Sequence, residues 1–189
     1  MKIALIGESG VGKDYVGDIL RNRHFCRLSF SDQLKKLSTM IFPFLKRDYS
    51  PEEKEKPLNI TTETGEVIKL SPREVWLALN CLRNVEDKIF IRMLAHEKNL
   101  LNCDHIFISD IRTKPEYDWC VENGFKICAI VPEDQPVHPQ NDFDNFVRNV
   151  IRNGEYDFKI VNDFKGRANV EKQVESIIKE MLRGEDEDD

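Results

Sequence analysis

MKIALIGESGVGKDYVGDI, residues Met1–Ile19, is the stretch whose reading decides the fold. The apolar run Ile3–Ile6 has the composition of a buried parallel strand. It breaks into Gly7-Glu8-Ser9-Gly10-Val11-Gly12-Lys13-Asp14 and then into the amphipathic start of a helix, with Val16, Ile19 and Leu20 on one stripe. Strand, glycine-rich loop and helix is the context that a phosphate-binding loop requires. Glycines let the backbone wrap closely around a polyphosphate, and successive N–H groups form an anion nest. The helix adds its positive N-terminal dipole, and Lys13 reaches the outer phosphates as a point charge. The pattern calls for Ser or Thr after the lysine, as a Mg²⁺ ligand, and Asp14 stands there instead. A carboxylate at that point suits Mg²⁺ directly or through water, or the orientation of a base for the acceptor phosphate.

Bulk properties narrow the rest. A chain of 189 residues is of single-domain size and buries about 70% of its unfolded surface. The net charge of −6 owes five charges to Glu185–Asp189, so the body is nearly neutral. A neutral body argues against a nucleic-acid polymer as partner, which needs a basic face. The apolar runs are too short to span a membrane or to make a signal peptide. Five cysteines, Cys26, Cys81, Cys103, Cys120 and Cys128, contain no CxxC pair. In apolar or helical surroundings they read as buried, reduced thiols, and so as a cytoplasmic chain.

Taken in order, the chain alternates strands and helices. A strand is expected over His24–Ser31, with Asp32 as N-cap of a helix carrying Leu34, Leu37, Met40, Ile41 and Leu45. Lys46–Leu70 is polar, with a small hairpin around Glu66–Lys69. Ser71-Pro72-Arg73-Glu74 starts a helix, and a second runs from Val85 to Leu101. Further strands are expected over Asp104–Ile111, Phe125–Val131 and Tyr156–Val161. Helices follow over Pro115–Asn123, Asp142–Ile151 and Val170–Leu182, and Glu185–Asp189 reads as a disordered acidic tail. This alternation predicts a three-layer α/β/α fold around a parallel sheet of about five strands. Ligands sit at the carboxyl ends of such strands. Lys13 and Asp14 follow the first strand, Ser31, Asp32 and Lys35 the second, and Asp110 and Arg112 the third, all on one sheet edge. An apolar helix face in the Val75–Leu101 region suits pairing into a homodimer as well as burial in the core.

In this order the motifs GxxGxGKD, FSDxLK (Phe30–Lys35), SPRE (Ser71–Glu74) and SDIRxxxE (Ser109–Glu116) resemble the deoxynucleoside monophosphate kinases of tailed phages. The match runs from Met1 to about Leu182. Eukaryotic-type phosphomevalonate kinase is similar in its GKD loop and its strand-end D-x-R. The resemblance implies one P-loop kinase domain over residues 1–184, with an acceptor-binding region over about 32–101 and a lid over about 132–154. It implies ATP and Mg²⁺, with a deoxynucleoside monophosphate as acceptor. Gly7, Glu8, Ser9, Gly10, Val11, Gly12 and Lys13 would hold the ATP phosphates, with Asp14 and Asp110 near the metal. Lys35 and Arg73 would face the acceptor phosphate, with Ser31 and Asp32 also among the substrate-binding residues. Arg83 and Arg112 would clamp acceptor or transferred phosphate, with Glu116 fixing the arginine. Arg148 and Arg152, one helical turn apart, would be lid arginines. For a phage-encoded chain the compartment would be the host cytoplasm.

Departures from the family pattern are Gln33 for proline and Trp76 for glutamine. The polar run after the fourth strand is reduced to His138-Pro139-Gln140-Asn141-Asp142. Trp76 and Asn80, a turn apart, suit base recognition by stacking or hydrogen bonding, and Trp76 equally suits core packing. Two other functions stay open: a kinase of a non-nucleotide phosphate such as phosphomevalonate, and an ATP-binding regulatory module without turnover. Several arginines around a phosphate loop favour a kinase over a hydrolase, because phosphoryl transfer needs positioning and charge more than a strong base.

Overall fold

A computed structural model describes residues 1–61, 63–134 and 144–187. The chain divides into two compact units, one of Met1–Phe30 with the chain from His96 onward, the other Ser31–Ala95. The second corresponds to the region expected to bind the acceptor.

The first unit is built on five parallel strands, β1 (Lys2–Ile6), β2 (Cys26–Leu28), β5 (Ile106–Ile111), β6 (Lys126–Pro132) and β7 (Phe158–Asn162), in the order β2-β5-β1-β6-β7. β1 is central, with Ile3 opposite Phe107 on one side and Lys126 on the other. Four of its five residues are buried, because helices cover both faces. The chain steps in one direction through α1 (Lys13–Asn22) and in the other through α6 (Lys114–Glu122) and α7 (Asn145–Asn153). Right-handed crossovers put helices reached in opposite directions on opposite faces. α1 and the last helix, α8 (Arg167–Glu187), share one face, where Ile3, Leu5, Val16, Leu20, Phe107, Ile130, Val170 and Val174 form a continuous core. Alternation then sends Ala4 and Ile6 to the other face. The result is the expected three-layer α/β/α fold with a central parallel sheet of five strands.

The second unit holds most of α2 (Phe30–Ile41), a 3-10 turn at Glu53–Glu55 and the antiparallel hairpin β3 (Leu58–Thr61) with β4 (Val67–Leu70). It continues with α3 (Pro72–Leu79), α4 (Leu82–Val85) and most of α5 (Ile89–Leu100). α3 starts as its sequence dictates, with a capping box in which Ser71 N–H donates to Glu74 at 2.7 Å and Glu74 N–H to Ser71 Oγ at 3.2 Å.

Several local expectations need correction. β2 is only three residues long, and α2 begins at Phe30, so Asp32 lies in its first turn and is not its N-cap. The acceptor for the helix start comes from β5, where Asp110 Oδ1 takes the Phe30 N–H at 3.0 Å. The helix expected over Val85–Leu101 is broken before Ile89. α8 extends through Glu187, into the segment expected to be a disordered tail. The thiols also divide. Cys120 and Cys128 are buried, and burial pushes both thiols up, Cys128 to about 12, which leaves them inert. Cys81 is exposed, and Cys26 and Cys103 are joined as a disulfide across 77 residues of sequence. Cys26 enters β2 as its N–H donates to His105 O at 2.9 Å, which brings it beside the approach to β5.

Candidate functional site

The phosphate-type loop spans the gap between β1 and α1. Gly12, the N-cap of α1, has φ +95°, a conformation open to glycine at little cost. Its α-carbon faces the buried Asn162 at the end of β7, so a Cβ there would lie 2.4 Å from Asn162 Nδ2. That amide donates to Val11 O at 3.1 Å, and its oxygen accepts the Phe164 N–H at 3.0 Å. The last strand therefore fastens the loop from beneath. At Gly7 an added Cβ would sit 2.7 Å from Ile130 O, so β6 packs directly against the loop's entry.

Lys13 is 9% exposed, and its ammonium donates to Gly7 O at 2.7 Å and Glu8 O at 2.6 Å. Burial, with the neighbouring Arg112 cation, lowers its pKa from 10.5 to about 8, against the opposing pull of Asp144, Asp14 and Asp110. Two arginines complete the cationic rim. Arg112, just beyond β5, pairs with Asp144, and Arg148 on α7 reaches Glu8 Oε2 at 3.1 Å. Asp144, 3% exposed, also accepts the Ser9 N–H at 2.9 Å.

Asp14 is exposed in the first turn of α1. Asp110 takes the Ser29 hydroxyl at 2.9 Å as well as the Phe30 N–H, so it joins the ends of β2 and β5. Glu116 is wholly buried and accepts the N–H groups of Arg112 at 2.8 Å and Thr113 at 3.0 Å. It thereby fixes the main chain that carries Arg112. Arg152 is exposed, one turn beyond Arg148. The first unit thus brings together the loop, Lys13, Asp14, Asp110, Arg112, Glu116 and Arg148.

The remaining residues belong to the second unit. Ser31 is exposed, at the start of α2. Lys35 lies 3.6 Å from Asp32 and 5.6 Å from the Trp76 ring centroid. Trp76 donates its indole N–H to the buried Ser38 Oγ at 3.1 Å and packs edge-on to Tyr49. Arg73 pairs with Glu55 at 2.8 Å on the surface. Arg83 donates to Asn80 Oδ1 at 2.9 Å, with its guanidinium 4.8 Å from the Phe90 centroid. Of the expected lid, residues 135–143 lie outside the described residues, and the His138–Asp142 run with them.

Sequence reasoning passed over Asp144 and Asn162. Asn162 ends a parallel strand, so the strand-end rule that singled out Asp110 applies to it equally. Asp144 has no such signal, since it stands before a helix, 135 residues from the loop it touches.

Among the described residues no group of three or more His, Cys, Asp or Glu could hold a metal by itself. Mg²⁺ is ordinarily held by one or two carboxylates together with substrate phosphates. Asp14 and Asp110, both close enough to stabilise the Lys13 cation, fit that donor set. Among the same residues no helix is long and apolar enough to cross a membrane.

No family model and no curated protein matches the chain. Solved structures do. TT1252 from Thermus thermophilus is 15% identical with a TM-score of 0.56, covering 96% of this chain and 97% of its own. Dephospho-CoA kinase from Campylobacter jejuni is 16% identical with a TM-score of 0.52, covering 98% and 100%. Shikimate kinase from Aquifex aeolicus is 16% identical with a TM-score of 0.50, covering 97% and 99%. The chain shares the three-layer α/β/α fold of these proteins.

Proposed function

We propose that the chain is a phosphotransferase that moves the γ-phosphoryl group of ATP to a deoxynucleoside monophosphate, giving ADP and the diphosphate. The observation that carries this reading is the buried Lys13 inside a glycine loop whose rim holds Arg112 and Arg148. Its fold supports phosphoryl transfer, since two structures that share it are kinases. The deoxynucleotide acceptor rests on the ordered motifs of the sequence.

In this reading the loop N–H groups and Lys13 bind the β- and γ-phosphates, and the Lys13 ammonium exchanges its contacts with Gly7 O and Glu8 O for phosphate oxygens. Arg112 and Arg148 neutralise charge on the transferred group, and Arg152 extends that surface along α7. Mg²⁺ held by the phosphates with Asp14 and Asp110 would withdraw charge from the leaving oxygens. Glu116 acts through Arg112, whose main chain it holds. Lys35, Arg73 and Arg83 are assigned to the acceptor phosphate, Ser31 and Asp32 to the start of the acceptor region, and Asn80 to the base. A monophosphate oxygen is already nucleophilic at neutral pH, so positioning and charge supply most of the rate.

One observation favours the other acceptor class, a small non-nucleotide phosphate. The Trp76 indole N–H is taken by Ser38, and its ring is flanked by Lys35 and Tyr49, which commits the side chain to the unit's own packing. A coupled ADP-release assay with ATP·Mg²⁺ against dAMP, dGMP, dCMP, dTMP, the ribonucleotides and phosphomevalonate separates the two. Turnover with a deoxynucleotide is expected, and Lys13→Ala should abolish it while leaving the circular dichroism spectrum unchanged. ATP binding without turnover on any acceptor would refute the kinase reading in favour of a regulatory module.

A further inference from the structure

Every cation on the rim of the loop already has an anionic or carbonyl partner from the chain itself. Lys13 is turned onto Gly7 O and Glu8 O, Arg148 is paired with Glu8, and Arg112 with Asp144. Asp144 differs from the others in also taking a loop N–H. Its Oδ2 accepts from Ser9, in the middle of the glycine loop, while Oδ1 meets the Arg112 guanidinium. The carboxylate is 3% exposed, so water does not solvate it, and these two donors compensate its burial. An anionic oxygen bridging a loop N–H and an arginine is the arrangement a bound phosphoryl oxygen would make with the same two groups. One turn further along α7, Arg148 is bound to the adjoining loop residue Glu8, so the start of this helix is tied to the loop twice.

We propose that Asp144 is an internal phosphate mimic, which holds the loop and Arg112 in a ligand-free arrangement and must be displaced by an incoming phosphoryl group. This rests on the kinase reading and deepens it: the site binds polyphosphate less tightly than its donors alone would allow. Displacement of the carboxylate frees Ser9 N–H and Arg112 in the same step. Occupancy of the loop is thereby coupled to release of the first turn of α7.

The test is calorimetric titration of inorganic pyrophosphate, without divalent metal, into the wild type, Asp144→Ala and Asp144→Asn. Asp144→Ala vacates the contact, and Asp144→Asn keeps its shape without its charge, so the pair guards against a folding defect in either. Both variants should bind pyrophosphate about tenfold more tightly than the wild type, the equivalent of one charge-assisted hydrogen bond no longer in competition. Wild-type binding with unchanged or weaker affinity in both variants would overturn the mimic and leave the kinase reading intact. Absence of binding to the wild type, by pyrophosphate and by ATP·Mg²⁺ alike, would overturn both.

Discussion

Lys13 should take up a proton when polyphosphate binds, and the amount can be worked from its environment. Burial and Arg112 hold its pKa at about 8 instead of 10.5. Phosphate oxygens replacing carbonyls around the ammonium favour its charged form and return the pKa toward its ordinary value. At pH ~8.5 roughly a quarter of the free protein carries the ammonium, so binding takes up roughly 0.75 proton, against roughly 0.1 at pH ~7. Affinity should correspondingly fall about thirtyfold between pH ~7 and pH ~9.5. Titration of ATP·Mg²⁺ in two buffers of different ionisation heat, at both pH values, measures the uptake directly. The same shift appears in stability. Because the folded pKa is the lower one, the unfolded chain binds the more protons between 8 and 10.5. Stability therefore rises with pH across that window, relieving a cost of about 3 kcal/mol that is fully present below it. Lys13→Met removes both the uptake and the rise. An uptake below ~0.2 proton at pH ~8.5, or an equal uptake in Lys13→Met, would refute this account of the lysine.

Substitutions at Gly12 and Glu116 probe the frame of the site, with Gly154 as a control. Gly12→Ala combines a positive φ with a Cβ placed 2.4 Å from Asn162 Nδ2, whereas Gly154→Ala has a positive φ of +70° in open space. Urea unfolding should show a loss of about 1 kcal/mol for Gly154→Ala and clearly more for Gly12→Ala; equal losses would mean that Asn162 yields without cost. Glu116→Ala leaves the N–H groups of Arg112 and Thr113 without this acceptor and should destabilise by about 1–3 kcal/mol. It should also lower kcat more than it raises KM for ATP, with partial recovery of both in Glu116→Gln.

The fold was legible because its signals are local. Ile3–Ile6 followed by a glycine loop, and the apolar run Ile106–Ile108 inside the strand expected over Asp104–Ile111, announce a parallel core within a few residues each. What could not be read depends on partners distant in the chain. Asp32 has the composition of an N-cap, but Asp110, 80 residues from Phe30, supplies the acceptor and moves the helix start forward. No spacing rule links Cys26 to Cys103. Arg112 and Arg148 were visible as cations, whereas the carboxylates that hold them were not, since Asp144 lies 32 residues from Arg112 and Glu8 140 residues from Arg148.

That division has a physical cause. A motif records the groups that meet a ligand, and these must lie on a short stretch whose backbone also cradles it. A cluster of cations assembled in advance must in addition be stable while empty, since a buried charge without a partner costs several kcal/mol. Its stand-in anions can come from anywhere in the chain that the fold brings near. Glu8 satisfies Arg148 from within the loop itself, and Asp144 satisfies Arg112 from the approach to α7. The tighter such a partner binds, the better ordered the empty site and the weaker its hold on phosphate. Asp144 sets that balance, because it engages both the guanidinium and the loop N–H that an incoming phosphate would need.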